Sequence, residues 1–319
     1  PAGNDILYDD ALCAQGMNFC NKMWNAFRLV KGWEVTEMPQ PEANAKSVAW
    51  MLAKIKEVYA EINDHFSKYR LNDALMAAFK LFTDEFSGWY LEMIKPAYQA
   101  PIDATTYNDT LNIFDQLLHI IHPFMPFITE ELWQHITERQ DGESLMVSEF
   151  KLDTPSAEEH ELIKLYEEAK QVISGTRGVR QTKNISPREP LTLEVVESND
   201  NNLDVTKQPE MKALICKMAV ISDIHYVAQK SDGTSSFLIG TQEYAIPLGD
   251  LIDTEAELSK AQAELKHLEG FLIGIQKKLG NERFVSNAPE QVVALERKKE
   301  SDTLEKIAAL KETIASLTK

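Results

Sequence analysis

The chain has 319 residues, 44% of them hydrophobic, which is enough material for one or two cores. Its 33 Lys and Arg face 50 Asp and Glu, a net charge of −17 that excludes broad coating of nucleic acid and leaves room only for local contacts. Three cysteines without a CxxC spacing (Cys13, Cys20, Cys216) exclude a disulfide framework or zinc knuckle and fit the reduced thiols of a cytoplasmic protein. No run of 18 apolar residues is present, so no membrane span is expected, and no signal peptide is expected either. The opening Pro1-Ala2-Gly3, without Met, points to a segment of something longer.

In chain order, Asp9 and Asp10 are placed to cap a helix running to about Lys31. Leu12, Gly16, Phe19, Cys20, Met23, Phe27 and Val30 gather on one side of it and predict the buried face. Opposite them, Asn18, Asn21, Lys22, Asn25 and Arg28 fall within a stripe of about 120°. Three amides, a Lys and an Arg without a carboxylate suit phosphates and the edges of unpaired bases. The competing reading is a solvated face, although such a face in so acidic a chain ordinarily carries Glu.

A second helix is predicted over about Ala45–Phe66 and a third over about Asn72–Ile94, stopping before Pro96. The third carries Leu75, Phe79, Phe82, Phe86, Trp89, Tyr90 and Met93, a stripe better suited to core packing than to base stacking. A fourth covers about Thr106–Ile121, and Thr129 is placed to cap a short one after Pro126. Together these predict an antiparallel helical bundle over 1–150. His119 and His122 are three apart, as metal ligands can be, but no second His or Cys pair follows, and the spacing reads as structural. No nucleophile, base and orienter assemble, so no catalytic residue is assigned.

Over 151–250 the period changes. A helix at about Ala157–Ile173 is followed by alternation at Leu191, Leu193 and Val195, a helix near Pro209–Lys217, and alternation at Ile224, Tyr226 and Ala228 and at Phe237 and Ile239. Tyr244–Leu248 reads as the last strand of a small α/β unit. Gly175-Thr176-Arg177-Gly178 matches the spacing of an RNA-clamping GXXG loop and is equally explained as a frayed helix end.

Over 251–319, Leu251, Thr254, Leu258, Ala261, Leu265, Leu268, Leu272, Ile275 and Leu279 recur at steps of three and four, a coiled-coil seam broken only by Thr254. It stops at Gly280, and a second helix from near Pro289 carries Val293, Ile307, Leu310, Ile314 and Leu317. This predicts an antiparallel coiled-coil hairpin whose first helix is about 43 Å long. Its distal part, with Lys277, Lys278, Arg283, Arg297, Lys298 and Lys299 against Glu282, Glu290 and Glu296, is basic. A basic tip on a lever suits a phosphate backbone; mixed charge on a solvated helix is the other reading.

Three motifs carry a resemblance. Residues 18–26, NFCNKMWNA, are similar to the first helix of the anticodon-binding bundle of class I aminoacyl-tRNA synthetases. Residues 122–133, HPFMPFITEELW, resemble a signature of the valine, isoleucine and leucine enzymes. Residues 278–289, KLGNERFVSNAP, resemble the hairpin tip of the valine branch, as Pro1–Ile6 resembles the stretch after its catalytic domain. The resemblance covers essentially all 319 residues, with one departure: Met17 stands where an Arg is expected. It implies that Asn18, Asn21, Lys22, Asn25 and Arg28 face the anticodon stem-loop of tRNA(Val). It also implies that Lys277, Lys278, Arg283, Arg297, Lys298 and Lys299 touch the tRNA's outer corner, where the D and T loops meet. The α/β part would join bundle and arm. The parent enzyme would use ATP and magnesium, but the HIGH and KMSKS signatures are absent here. No cofactor and no metal is therefore expected in this segment, and its partners would be tRNA and the catalytic domain of the same parent, not DNA or membrane. A rival class is an acidic interaction module that docks a partner through its coiled coil, with Phe271 and Ile273 as the apolar positions outside the seam.

Overall fold

The computed structural model describes residues 8–197, 204–249 and 254–280, together with 297–301, 303, 304, 307 and 311. The described chain is mostly helical with a small sheet. It divides into two compact units, Pro1–Ile173 with Leu203–Ala219, and Ser174–Asn202 with Val220–Lys319. The first division falls inside a helix, between Ile173 and Ser174.

In the first unit, α1 (Asp10–Lys31) starts as expected, with Asp9 Oδ1 accepting from the Ala11 N–H at 2.8 Å. Its N-terminal turns differ from expectation. Leu12 is 59% exposed and Gly16 is also exposed, because among the described residues no element covers α1 before Phe19. From Phe19 onward the apolar side is buried at Met23, Ala26, Phe27 and Val30. A two-residue strand β1 (Val35–Thr36) pairs in parallel with β2 (Ile102–Asp103). Between them lie α2 (Glu42–Ser67), α3 (Leu71–Lys80), a widened helical stretch (Leu81–Tyr90) with i→i+5 bonding, and α4 (Leu91–Ile94).

That widening explains a missed assignment. Leu75, expected in the core, is exposed, and small Ala74 and Ala78 face α2 instead. Beyond Lys80 the wider turn brings residues four apart to one side, where Phe86 lies tilted against Phe82 at 5.3 Å and stacked on Tyr90 at 5.7 Å. Phe114 of α5 (Ala104–Ile121) meets Phe82 and Phe86 edge-on. Buried Asp103 caps α5 through Thr106 N at 2.7 Å. The Tyr90 hydroxyl shares a 2.8 Å hydrogen bond with Thr110, and burial pushes its phenol well above the usual range.

Helix α6 (Pro126–Ile136) begins with proline in its first turn, so Thr129 lies inside it and caps nothing. The Thr129 hydroxyl instead donates to the Met125 carbonyl at 2.8 Å and lies 2.7 Å from His122 Nδ1. His119 is held by the Asp115 carbonyl and Ser148 Oγ, each at 2.9 Å. After α6, Leu145–Val147 forms one turn that buries Leu145 alone.

Helix α7 (Ala157–Thr182) continues nine residues past its expected end. Residues 175–178 are therefore helical, and the GXXG loop reading is overturned. Gly175 has a packing reason: a Cβ placed there would stand 2.3 Å from Phe237 Cε2. Gly175→Ala is expected to cost about 1–3 kcal/mol through displacement of that ring. A urea midpoint unchanged by the substitution would show that Phe237 yields freely.

In the second unit the sheet order is β4-β3-β6-β5, built from β3 (Leu191–Val196), β4 (Ile221–Val227), β5 (Thr234–Ile239) and β6 (Gln242–Pro247). β3 runs parallel to β4 and antiparallel to β6. The two parallel strands are joined through α8 (Pro209–Ala219), which belongs to the first unit. A register shift at Leu191/Thr192 leaves Ile221 and Ile224 buried while Tyr226, expected inward, is 37% exposed. Phe237 and Tyr244 pair across β5 and β6 with their rings stacked at 5.4 Å.

Helix α9 (Thr254–Leu279) ends where Gly280 follows. Of its described side chains, Leu265, Leu268, Leu272, Ile275 and Leu279 are the ones turned from solvent, matching the expected seam. Further on, Thr303 and Ile307 are buried and Lys311 pairs with Glu269 at 3.2 Å. Leu251 and Val293, Leu310, Ile314 and Leu317 lie outside the described residues.

Candidate nucleic-acid interface

All five residues of the α1 stripe are exposed: Asn18, Asn21, Lys22, Asn25 and Arg28. The helix holds them outward because its other side is anchored in aromatics. Phe19 packs on Phe79 at 4.8 Å and edge-on against Phe82 at 5.7 Å, and Phe27 meets Phe114 at 6.1 Å. Met17, at the margin of the stripe, is 61% exposed and Leu29, within it, is 37% exposed. The face is therefore amide-rich with apolar spots, a surface suited to unstacked bases as well as phosphate.

The five side chains are not equivalent. Lys22 Nζ donates to the backbone carbonyl of Thr83 at 3.1 Å. Nothing in the sequence pattern signals this, because the acceptor is 61 residues away and belongs to the backbone. Lys31 Nζ likewise donates to the Ile136 carbonyl at 3.2 Å, at the end of α6. In the basic run after α7's midpoint, Arg180 is committed too. Its guanidinium is buried and donates to the Ser186 and Val220 carbonyls, both at 2.9 Å, and burial lowers its pKa. Arg177 and Arg188 are exposed and Lys183 half-buried.

In the arm, Lys277, Lys278, Arg297 and Lys298 are exposed and Lys299 is half-buried. Arg283 lies outside the described residues. Phe271 and Ile273 are 49% and 64% exposed, outside the seam as expected. A cleft of about 440 Å³ beside α2 and α3, unforeseen from sequence, is lined by Lys54, His65, Lys80, Glu61, Asp73 and Glu85 among others. Its charges are largely spent on neighbours: Lys54 pairs with Glu57 at 2.8 Å, and Glu85 with Lys170 at 2.7 Å. Among the described residues no three His, Cys, Asp or Glu gather to hold a metal ion, and no helix is long and apolar enough to cross a membrane.

Comparison with known proteins fits this layout. Residues 48–196 match the family described as the anticodon-binding domain of tRNA ligase, and residues 253–318 match the valyl tRNA synthetase tRNA binding arm. The chain is 55% identical over 319 residues to a valine–tRNA ligase of Phocaeicola vulgatus, covering 100% of this chain and 35% of that protein. The chain belongs to the valyl-tRNA synthetase family. A second relative, from Bacteroides thetaiotaomicron, is 55% identical over 100% of this chain and 36% of its own length. A more distant one, from Fusobacterium nucleatum, is 30% identical over 98% of this chain and 36% of its own. The chain thus spans about a third of the length of the valyl-tRNA synthetases it matches, in their C-terminal part. The anticodon-binding match begins at residue 48 and leaves α1, with its polar stripe, outside it.

Proposed function

We propose that this chain is the tRNA-contacting part of a valine–tRNA ligase, with α1 facing the anticodon stem-loop of tRNA(Val) and residues 251–319 meeting the tRNA's outer corner. The observation that carries the first contact is the outward display of Asn18, Asn21, Asn25 and Arg28 on a helix anchored by Phe19 and Phe27. Bases read there must be splayed from the loop, because an A-form groove hides their edges. Burial of Ile275 and Ile307 and the Lys311–Glu269 pair support an antiparallel coiled-coil hairpin for the arm. On this reading, activation of valine with ATP and magnesium belongs to the catalytic part of the longer cytoplasmic enzyme, and this segment supplies binding alone.

The test is binding of an isolated anticodon stem-loop. Replacing Asn25 and Arg28 together by Ala is expected to weaken it about tenfold or more, by removal of one phosphate-range cation and one base-edge amide. Equal affinity for parent and variant would make the stripe bystander surface. The rival reading, docking of a protein through the arm, rests on exposed Phe271 and Ile273. Loss of a protein partner but not of tRNA on changing both to Ser would favour it.

A further inference from the structure

We propose that Lys22 is a positioning residue: its ammonium latches α1 to the widened helical stretch at Thr83 and fixes the orientation of the amide stripe, without itself meeting nucleic acid. The functional consequence rests on the anticodon reading above; the latch itself does not.

The geometry is local and complete. Phe19, Lys22 and Met23 lie within two turns of one another on α1, and all three engage the bundle. Phe19 packs on Phe79 and Phe82, Met23 is fully buried, and Lys22 Nζ reaches the Thr83 carbonyl at 3.1 Å. An ordinary mid-helix carbonyl points along the helix axis at the N–H four residues on, which leaves its second lone pair poorly presented to a neighbouring helix. Over Leu81–Tyr90 the bonding steps to i→i+5, and the wider turn opens a carbonyl's second lone pair to the side.

Gly88, five residues after Thr83, is part of the same arrangement. A Cβ built at Gly88 would stand 3.3 Å from Thr83 O, so the glycine leaves the oxygen room where it is. The neighbouring carboxylate does not compete for the ammonium in this arrangement. Asp84 Oδ1 accepts instead from Thr83 Oγ1 at 2.8 Å. Lys22 is thus directed to a backbone acceptor in a stretch whose carbonyls are turned from regular helical geometry. Without the latch the turn around Lys22 is held by the packing of its apolar side alone, at Phe19, Met23 and Phe27, and Asn18, Asn21 and Asn25 lose their fixed orientation.

Two measurements on this chain decide the matter. Amide hydrogen exchange over residues 18–25 is expected to speed up roughly three- to tenfold in Lys22→Met, the loss of one charge-assisted hydrogen bond at a part-buried site. Gly88→Ala is expected to give a similar acceleration without touching charge, and the double variant to add little to either alone. Lys22→Arg, which keeps a donor of sufficient reach, restores the parent rate. Unchanged exchange in Lys22→Met overturns the latch.

Salt dependence of stem-loop binding separates positioning from contact. Lys22→Met is expected to lower affinity at every salt concentration while leaving the slope of log K against log salt as in the parent. Arg28→Ala is expected to flatten that slope by about 0.7–0.9. A slope flattened equally by Lys22→Met makes Lys22 a phosphate contact and overturns the proposal. If the parent chain binds no stem-loop, the anticodon reading fails, and the exchange experiment still decides the latch.

Discussion

Changing Lys277, Lys278, Arg283, Arg297, Lys298 and Lys299 together to Gln is expected to flatten the salt dependence of tRNA binding by about 0.7–0.9 for each phosphate that is no longer neutralised. If most of the six touch the backbone, affinity at 50 mM salt falls on the order of a hundredfold or more, and the deficit narrows as salt rises. The effect is large because the rest of the chain offers so little. At a net charge of −17 the protein repels a polyanion except where positive charge is gathered locally. Within residues 277–299 six cations stand against three carboxylates, and four of the six are exposed among the described residues. A filter-binding titration from 50 to 300 mM salt, with parent and variant side by side, measures both quantities. Identical slopes would remove the arm from the interface.

Trp50→Ala should produce the largest loss of stability in the first unit, about 3–5 kcal/mol. Trp50 is fully buried on α2, and its ring lies parallel to Tyr166 of α7 at 4.9 Å and 8°. The Lys170 ammonium also lies over it, 5.5 Å from the ring centroid. Lys170 is itself buried and paired with Glu85 at 2.7 Å and Glu167 at 2.9 Å. Removal of the indole therefore opens a cavity and also admits water to an ion cluster that the aromatic ring shields. Trp50→Phe keeps the stack and should cost far less. Urea unfolding of the three proteins tests this; a loss below about 1 kcal/mol for Ala would mean that α2 and α7 close over the gap.

Much of the architecture was legible because it follows from periodicity and capping. The start of α1 at Asp9, the seam from Leu265 to Leu279 and its stop at Gly280 rest on short-range rules that sequence displays directly. The outward stripe on α1 was legible for the same reason. What escaped was non-local or irregular. The phase of Leu75 relative to Phe82 and Phe86 depends on a change of helical pitch after Lys80, which no spacing in the sequence displays. Thr129 looked like a cap because Thr commonly is one, but Pro126 had already opened the helix. The glycines at 175 and 178 looked like a loop, yet Gly175 is there to admit a ring from a strand 62 residues on. The partner of Lys22 was invisible, since a backbone carbonyl leaves no mark in the residue pattern.

Several lysines of the first unit terminate on peptide oxygens: Lys22 on Thr83, Lys31 on Ile136, and Lys217 on Met93 at 2.7 Å. Each such bond holds the ammonium in place against a neutral acceptor and ties one element of the unit to another, while its charge remains. Dissolved salt acts with opposite sign on different parts of this chain. On the proposed reading, ions weaken the attraction of residues 277–299 for tRNA while they relieve the mutual repulsion among the surplus carboxylates elsewhere. Binding and unfolding curves taken across the same ionic-strength series should accordingly diverge, affinity declining where thermal resistance improves.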